Sequence, residues 1–151
     1  MDATMANAAA QSTQAHSQQT LSEQLARFVL RTSYGSIPAP VIDQAKGHFL
    51  DVLGIAIASS GFDFGRSVLS AGIAMGKGSD AHALASGAGL PEIGAALVNG
   101  TLAHGLDFDD THIGAIYHAS APAFAAALAA GETVVATGQN VFLADRKSTR
   151  L

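Results

Sequence analysis

From residue 40 the chain places apolar side chains at helical spacing. Ile42, Ala45, Phe49, Val52, Leu53 and Ala56 fall on one stripe, while Asp43, Gln44, Lys46 and Asp51 lie mostly off it. That 3.6-residue period predicts an amphipathic helix over 40–59. Upstream, Thr20 or Ser22 stands as a capping residue before Leu21, Leu25, Phe28 and Val29, spaced i, i+4, i+7 and i+8, which predicts a shorter helix. Gly35, Pro38 and Pro40 between the two predict a turn, and a proline in the first turn suits the start of the next helix. Gly61 interrupts the pattern; Val68, Leu69, Ala71 and Ile73 then predict a third helix over 64–75, ended by Gly76-Lys77-Gly78.

Residues 81–89 follow neither a helical nor an alternating period. Pro91 then opens a helix through Ile93, Ala96, Leu97, Gly100 and Ala103, which is expected to run into an acidic cluster at 107–110. A further helix is expected from Ser120-Ala-Pro122 through the run 124–130, interrupted at Gly131 or Thr133 before Gln139. Alanine and glycine dominate these last segments and allow helix axes to approach closely. The expectation is an all-α protein, a tightly packed helical bundle, with neither β-α alternation nor an internal repeat.

Composition bounds the rest. A chain of 151 residues with 48% hydrophobic and 13% charged side chains suits one globular domain with a real core. Residues 1–20, rich in Ala, Gln, Ser and Thr without apolar period, are expected to be a disordered leader to that domain. The domain is expected over 21–144. Residues 145–151 break the composition abruptly with three of the eight basic residues, and are expected to be a non-native tail resembling translated vector or adapter sequence. Without them five bases face eleven acids, so the body is acidic and has no basic face for nucleic acid or an anionic membrane. There is no cysteine, which excludes disulfides, thiolate metal sites and cysteine nucleophiles. The first residues carry neither the basic and apolar regions of a secretion signal nor the arginines of a transit peptide, and the weakly polar run 119–131 is shorter than the about 20 residues of a spanning helix. A cytoplasmic protein is expected.

The chemistry concentrates between the last two predicted helices. Residues 99–120 hold Asp107, Asp109 and Asp110 together with His104, His112 and His118 and several hydroxyls. On a continued helix His104 and Asp107 would be i, i+3 and Asp107 and Thr111 i, i+4, sharing one face. A carboxylate beside an imidazole orients the ring and suits the pair to moving a proton, and a hydroxyl can hold a substrate carboxylate. The bland reading is that Asp107, Asp109 and Asp110 cap the following turn and face water. His112 and His118 fall in loop-like sequence, where a scaffold often presents functional groups. His16 and His82 look like bystanders, and His48 looks like helical surface or core. The cluster Asp107, Asp109, Asp110, His112 and His118 contains metal-ligand types, yet its spacing matches neither the twelve-residue calcium loop nor the paired-His zinc helix, and no Gly-Lys-Ser/Thr phosphate loop is present. That spacing is not diagnostic: no metal and no cofactor is the first expectation, and a metal-binding module stays open as a third, weaker one.

Leu50-Asp-Val-Leu-Gly54, Asn99-Gly-Thr101, His104, Asp107-Phe-Asp-Asp-Thr111 and His118-Ala-Ser120, in this order and spacing, resemble the MmgE/PrpD family over about residues 21–143. That family contains 2-methylcitrate dehydratases, cis-aconitate decarboxylases and related isomerases and epimerases. The resemblance implies a large helical domain with a smaller α+β lid, usually in a homodimer, with the active site between the domains and no metal needed. Members are much longer, so the chain corresponds to an amino-terminal part that stops before the lid and before later catalytic histidine and lysine positions. Family active-site positions fall on Asp107, Thr111 and His118; Ala119 stands where many members have proline.

What the resemblance implies for function is a lyase that takes a small di- or tricarboxylate, removes a proton next to a carboxylate and expels water or carbon dioxide, with 2-methylcitrate dehydration as the first expectation. Asp107 and His118 are the expected catalytic residues, with Thr111, His112 and His118 binding substrate. The competing expectation is a catalytically silent helical module that associates with itself.

Overall fold

The computed structural model describes residues 19–149, so the expectation of disorder over residues 1–18 lies outside the described residues. Its architecture is all-α. Six α-helices occur among the described residues, joined by short connections that include two minimal antiparallel ribbons. The chain divides at residue 31 into two units.

The first unit contains helix α1, Leu21–Arg31. Thr20 rather than Ser22 caps it: Thr20 Oγ1 accepts the Glu23 N–H at 3.2 Å while Glu23 Oε2 accepts the Thr20 N–H at 2.9 Å. The reciprocal bonds satisfy two backbone donors that a helix start leaves open.

The second unit begins at Thr32. After a single 3-10 turn at Tyr34–Ser36, α2 spans Ala39–Ser59. Pro38 occupies the cap position and its carbonyl accepts the Val41 and Ile42 N–H groups. Ile42, Ala45, Val52 and Ala56 of the predicted stripe are buried, joined by Ile55 and Ser59. Helix α3, Asp63–Ala74, follows the break at Gly61.

The segment of unassigned period is the first ribbon: β1, Ala81–His82, pairs antiparallel with β2, Gly89–Leu90. Asn99, with no exposed surface, pins it from below. Its Oδ1 accepts the Leu84 N–H at 2.8 Å and its Nδ2 donates to the His82 carbonyl at 2.9 Å. A buried amide here supplies one donor and one acceptor to backbone groups that helix packing would otherwise leave unpaired.

Helix α4 runs from Glu92 to His104, behind Pro91. The second ribbon pairs β3, Thr111–His112, with β4, Tyr117–His118. Helix α5 follows at Ser120–Thr133 and α6 at Gly138–Thr149. α4 and α5 pack on each other at the centre, with α2 against both, α3 on α4 and α6 on α5. Small residues make this possible: a Cβ at Gly72 of α3 would collide with the Val98 side chain of α4. Two apolar clusters fill the interior, one around Leu90, Val98 and Leu102, the other around Val52, Ala103, Ala121 and Phe124. The Phe49 ring stacks on Phe142 and meets Phe124 edge-on, tying α2 to α5 and α6.

α6 continues past residue 144. Asp145 is fully buried, with Arg146 Nε donating to its Oδ2 at 2.7 Å, and burial pushes its carboxyl above the ordinary range. Among the described residues no single helix is long and apolar enough to cross a membrane; α2 and α3 pass jointly on length and composition, but they meet at 95° and α2 carries much of the core.

Candidate functional site

The geometry of the site follows from where α4 stops. Continuation of the helix through Asp107 and Thr111 is overturned: the last helical residue is His104, and Asp107 sits in the left-handed region at φ 56. Aspartate is among the few residues that tolerate this conformation. The Asp107 N–H closes the turn on the His104 carbonyl at 2.9 Å, and the chain doubles back toward the last turn of α4. Two positions later this brings Asp109 inward. Phe108 between them is 77% exposed, so in Asp107-Phe-Asp-Asp110 the side chain that faces the interior is a carboxylate and the aromatic ring faces out.

The Asp109 side chain has no exposed surface and lies between two imidazoles. Its Oδ1 is 2.8 Å from His104 Nδ1, and its Oδ2 is 3.3 Å from His118 Nδ1. The latter contact is within ion-pair reach but off the line of a hydrogen bond, and neither atom of it has a hydrogen-bond partner among the described residues. The two rings meet edge to face with centroids 4.7 Å apart. Asp107, largely exposed, approaches from the other side, its Oδ1 3.7 Å from His118 Nε2. Asp107 and His118, the expected catalytic pair, are thus brought together, and Asp109 and His104 join them.

Thr111 and His112 are placed differently. Both are exposed on β3. Thr111 is directly opposite His118 in the ribbon, which puts both on one face, while His112 pairs with Tyr117 on the other. His112 Nδ1 accepts the Ala115 N–H at 3.1 Å and so supports the turn between the strands. Asp110 neither caps the turn that follows it nor simply faces water, as the bland reading held: it is half-buried, and its Oδ1 accepts the Ser120 N–H at 3.1 Å, at the start of α5.

Two histidines set aside as solitary have partners. His48 Nδ1 lies 3.6 Å from Asp110 Oδ2 and 3.3 Å from Ser120 Oγ. His82 Nδ1 lies 3.4 Å from Glu132 Oε2, which also accepts the His82 N–H. These contacts join residues far apart in the chain, which no local spacing rule reaches. For Asp109 a local signal does exist. Once Asp107 is taken as a left-handed turn instead of a helical position, the inward residue shifts to 109.

His104 and His118 stand at the polar end of a groove of about 580 Å³ between α4 and α5, walled by Leu97, Gly100, Thr101, Ala121, Pro122 and Ala125. Small side chains on both helices open it. The groove is apolar along its length and has imidazoles at its head, a shape that seats a small molecule with a polar end. His104, Asp107, Asp109 and His118 each offer one ligand atom, all within 4.8 Å of one another, so these four are the residues that could hold a divalent cation. Without an ion the same atoms form an alternating base–acid–base series. With Nδ1 of an imidazole protonated toward Asp109, its Nε2 keeps the lone pair needed to accept a proton.

No curated protein and no solved structure matches the chain. The family model for the MmgE/PrpD N-terminal domain matches residues 23–146 and runs from the first turn of α1 through most of α6, with the whole His104–Asp109–His118 group inside it. By this match over most of its length, the chain belongs to the MmgE/PrpD family, as its N-terminal domain.

Proposed function

We propose that this domain provides the proton-handling part of a lyase active site for a small di- or tricarboxylate, with dehydration of 2-methylcitrate or a close analogue as the reaction. The observation that carries the reading is a fully buried carboxylate, Asp109, spanning two imidazoles at the head of a groove. A buried aspartate in this position holds the His104 ring by a hydrogen bond and sets its second oxygen against His118 Nδ1, the side from which a general base is oriented.

In the reaction the carbon next to a substrate carboxylate loses a proton to His118 Nε2, and the electron pair left on that carbon forms the double bond as the hydroxyl on the neighbouring carbon departs. The hydroxyl, held by a hydrogen bond to the His104 Nε2 lone pair, takes up a proton from solvent and leaves as water. Asp107, beside His118 Nε2, orients the base and passes the abstracted proton back to solvent. Thr111 reaches the same face of the ribbon as His118 and donates its hydroxyl to the substrate. The site needs no ion for any of these steps. In the cell the reading places the protein in the cytoplasm, as a homodimer serving propionate breakdown.

The test is turnover of 2-methylcitrate, citrate and cis-aconitate by the chain and by its Asp109→Asn variant, followed by ultraviolet absorbance of the unsaturated acid and by release of carbon dioxide. Dehydration that falls about 10²–10⁴-fold in Asp109→Asn supports the proposal. Decarboxylation without dehydration moves the function to a family decarboxylase. Equal rates in the two proteins overturn the role of Asp109.

A second reading, a silent module that associates with itself, draws on exposed apolar residues near the groove: Ile93 at 74% and Leu97 at 48% on α4. Absence of turnover together with a stable oligomer favours it.

A further inference from the structure

Asp109 and Asp110 are neighbours in the chain but serve different structures. Asp109 lies between His104 and His118. Asp110 accepts the Ser120 N–H at 3.1 Å and so fastens the loop after α4 to the first turn of α5. Behind it stands His48 of α2. Its Nδ1 lies 3.3 Å from the Ser120 hydroxyl and 3.6 Å from Asp110 Oδ2, with the His48 and Asp110 side chains 30% and 27% exposed. Ser120 itself is 2% exposed and begins α5 two residues after His118. One imidazole on a different helix thus lies against both ends of the bond that ties Asp110 to α5.

We infer that His48 is a positioning residue for the site: through Asp110 and Ser120 it sets where Asp109 and His118 stand relative to each other. The inference rests on the reading of His104, Asp109 and His118 as the working group, but it concerns geometry and not turnover.

The physical argument is one of leverage. Asp109 and Asp110 are joined by a single planar peptide, so the place where Asp110 is fastened to α5 limits where the Asp109 backbone can stand. Ser120 is likewise tied to His118 by two residues of chain. The start of α5 attracts a carboxylate by its open N–H groups and dipole, which gives Asp110 one preferred seat. That seat alone leaves the carboxylate free to rotate about its side-chain bonds. The His48 ring stands on another side, with its Nδ1 in reach of the second oxygen and of the Ser120 hydroxyl, and so narrows that freedom. The groups that face His48 are Asp110 from the loop, Ser120 from α5 and, electrostatically, Asp145 from α6.

The experiment uses the whole chain at one fixed pH and reads the imidazole nitrogens of His104 and His118 by nitrogen–proton correlation NMR, with the thermal midpoint as a control for folding. In the parent, His104 is expected in a single tautomer, protonated on the Nδ1 that faces Asp109. His48→Leu is expected to move His104 and His118 toward mixed tautomers while the protein stays folded, and His48→Asn, which restores a polar group near the Nδ1 position, to return the parental signals. If His48→Leu does not fold, Ser120→Ala and Asp110→Asn report the same linkage, with the same displacement expected. Parental imidazole signals in the folded variants, or equal signals from His48→Leu and His48→Asn, overturn the inference, as does a mixed His104 tautomer in the parent. No substrate is involved, so loss of the lyase reading would leave this result standing, and the reverse also holds.

Discussion

At the residue scale, two buried polar side chains, Asn99 and Asp145, separate the effect of pairing from that of burial. Asn99 serves one donor and one acceptor of the first ribbon. Asn99→Ala leaves the Leu84 N–H and the His82 carbonyl without it, and should cost about 2–3 kcal/mol in urea unfolding. Asn99→Asp keeps the acceptor for Leu84 but sets a carboxylate oxygen against the His82 carbonyl, so it should be no better than alanine. An aspartate that matched the parent would show that the His82 contact contributes nothing. Asp145 is the opposite case, a buried carboxyl whose folded pKa is raised, first by desolvation, with Arg146 only partly opposing. The folded chain therefore holds this proton more tightly than the unfolded chain. The stabilising contribution is complete below the ordinary value of 3.8 and is lost as pH rises through the folded value. Asp145→Asn should accordingly melt higher than the parent at pH 7, by about 2–4 °C for an effect near 1 kcal/mol. The gap should close on acidification to below 3.8, because there both side chains are neutral. A midpoint at pH 7 that falls on substitution would mean that the Arg146 pairing outweighs desolvation.

At the scale of elements, the same substitution should have opposite signs in two helices. Gly47 of α2 has open space where a Cβ would go, so Gly47→Ala gains helix propensity and should stabilise by about 0.5–1 kcal/mol. Gly72 of α3 faces the buried Val98 side chain, so Gly72→Ala must displace a packed neighbour and should destabilise by about 1–3 kcal/mol despite the same gain in propensity. Equal stabilisation by both would show that α3 and α4 can separate at no cost. Helices of this kind were legible in the sequence because period and punctuation act locally: Thr20, Pro38, Gly61 and Pro91 mark ends within a residue or two of those observed. The ribbons were not, since two-residue strands have no period to read and depend on Asn99 or on a turn at His112. The site was half legible. Its location followed from the density of ionisable residues after α4, and the choice of Asp107 and His118 from the family resemblance. Asp109 as the buried centre did not, because a left-handed residue at 107 changes which side chain points inward. His48 did not either, since α2 is brought to the start of α5 by tertiary packing alone.

For the domain from Thr32 onward as a whole, the question is what an acidic body with an open groove does in solution. Ile93 and Leu97 stand out on α4, and Ile113 and Ile116, both 88% exposed, on the turn of the second ribbon. Scattered apolar residues need no explanation, but four large ones on α4 and the adjoining loop, beside a groove walled by small residues, make a surface that loses free energy by contact with another copy. Charge opposes this, since the chain carries a net −4 at pH 7 and like bodies repel. The two terms respond to salt in opposite ways: screening weakens the repulsion and leaves apolar burial intact. Sedimentation at rising concentration should therefore show self-association that strengthens with sodium chloride. Ile93→Lys with Leu97→Lys should abolish it while the far-ultraviolet helical signal is unchanged. Association that weakens with salt would assign it to charge pairing, and a parent that stays monomeric at every concentration would show that these four side chains are tolerated in water.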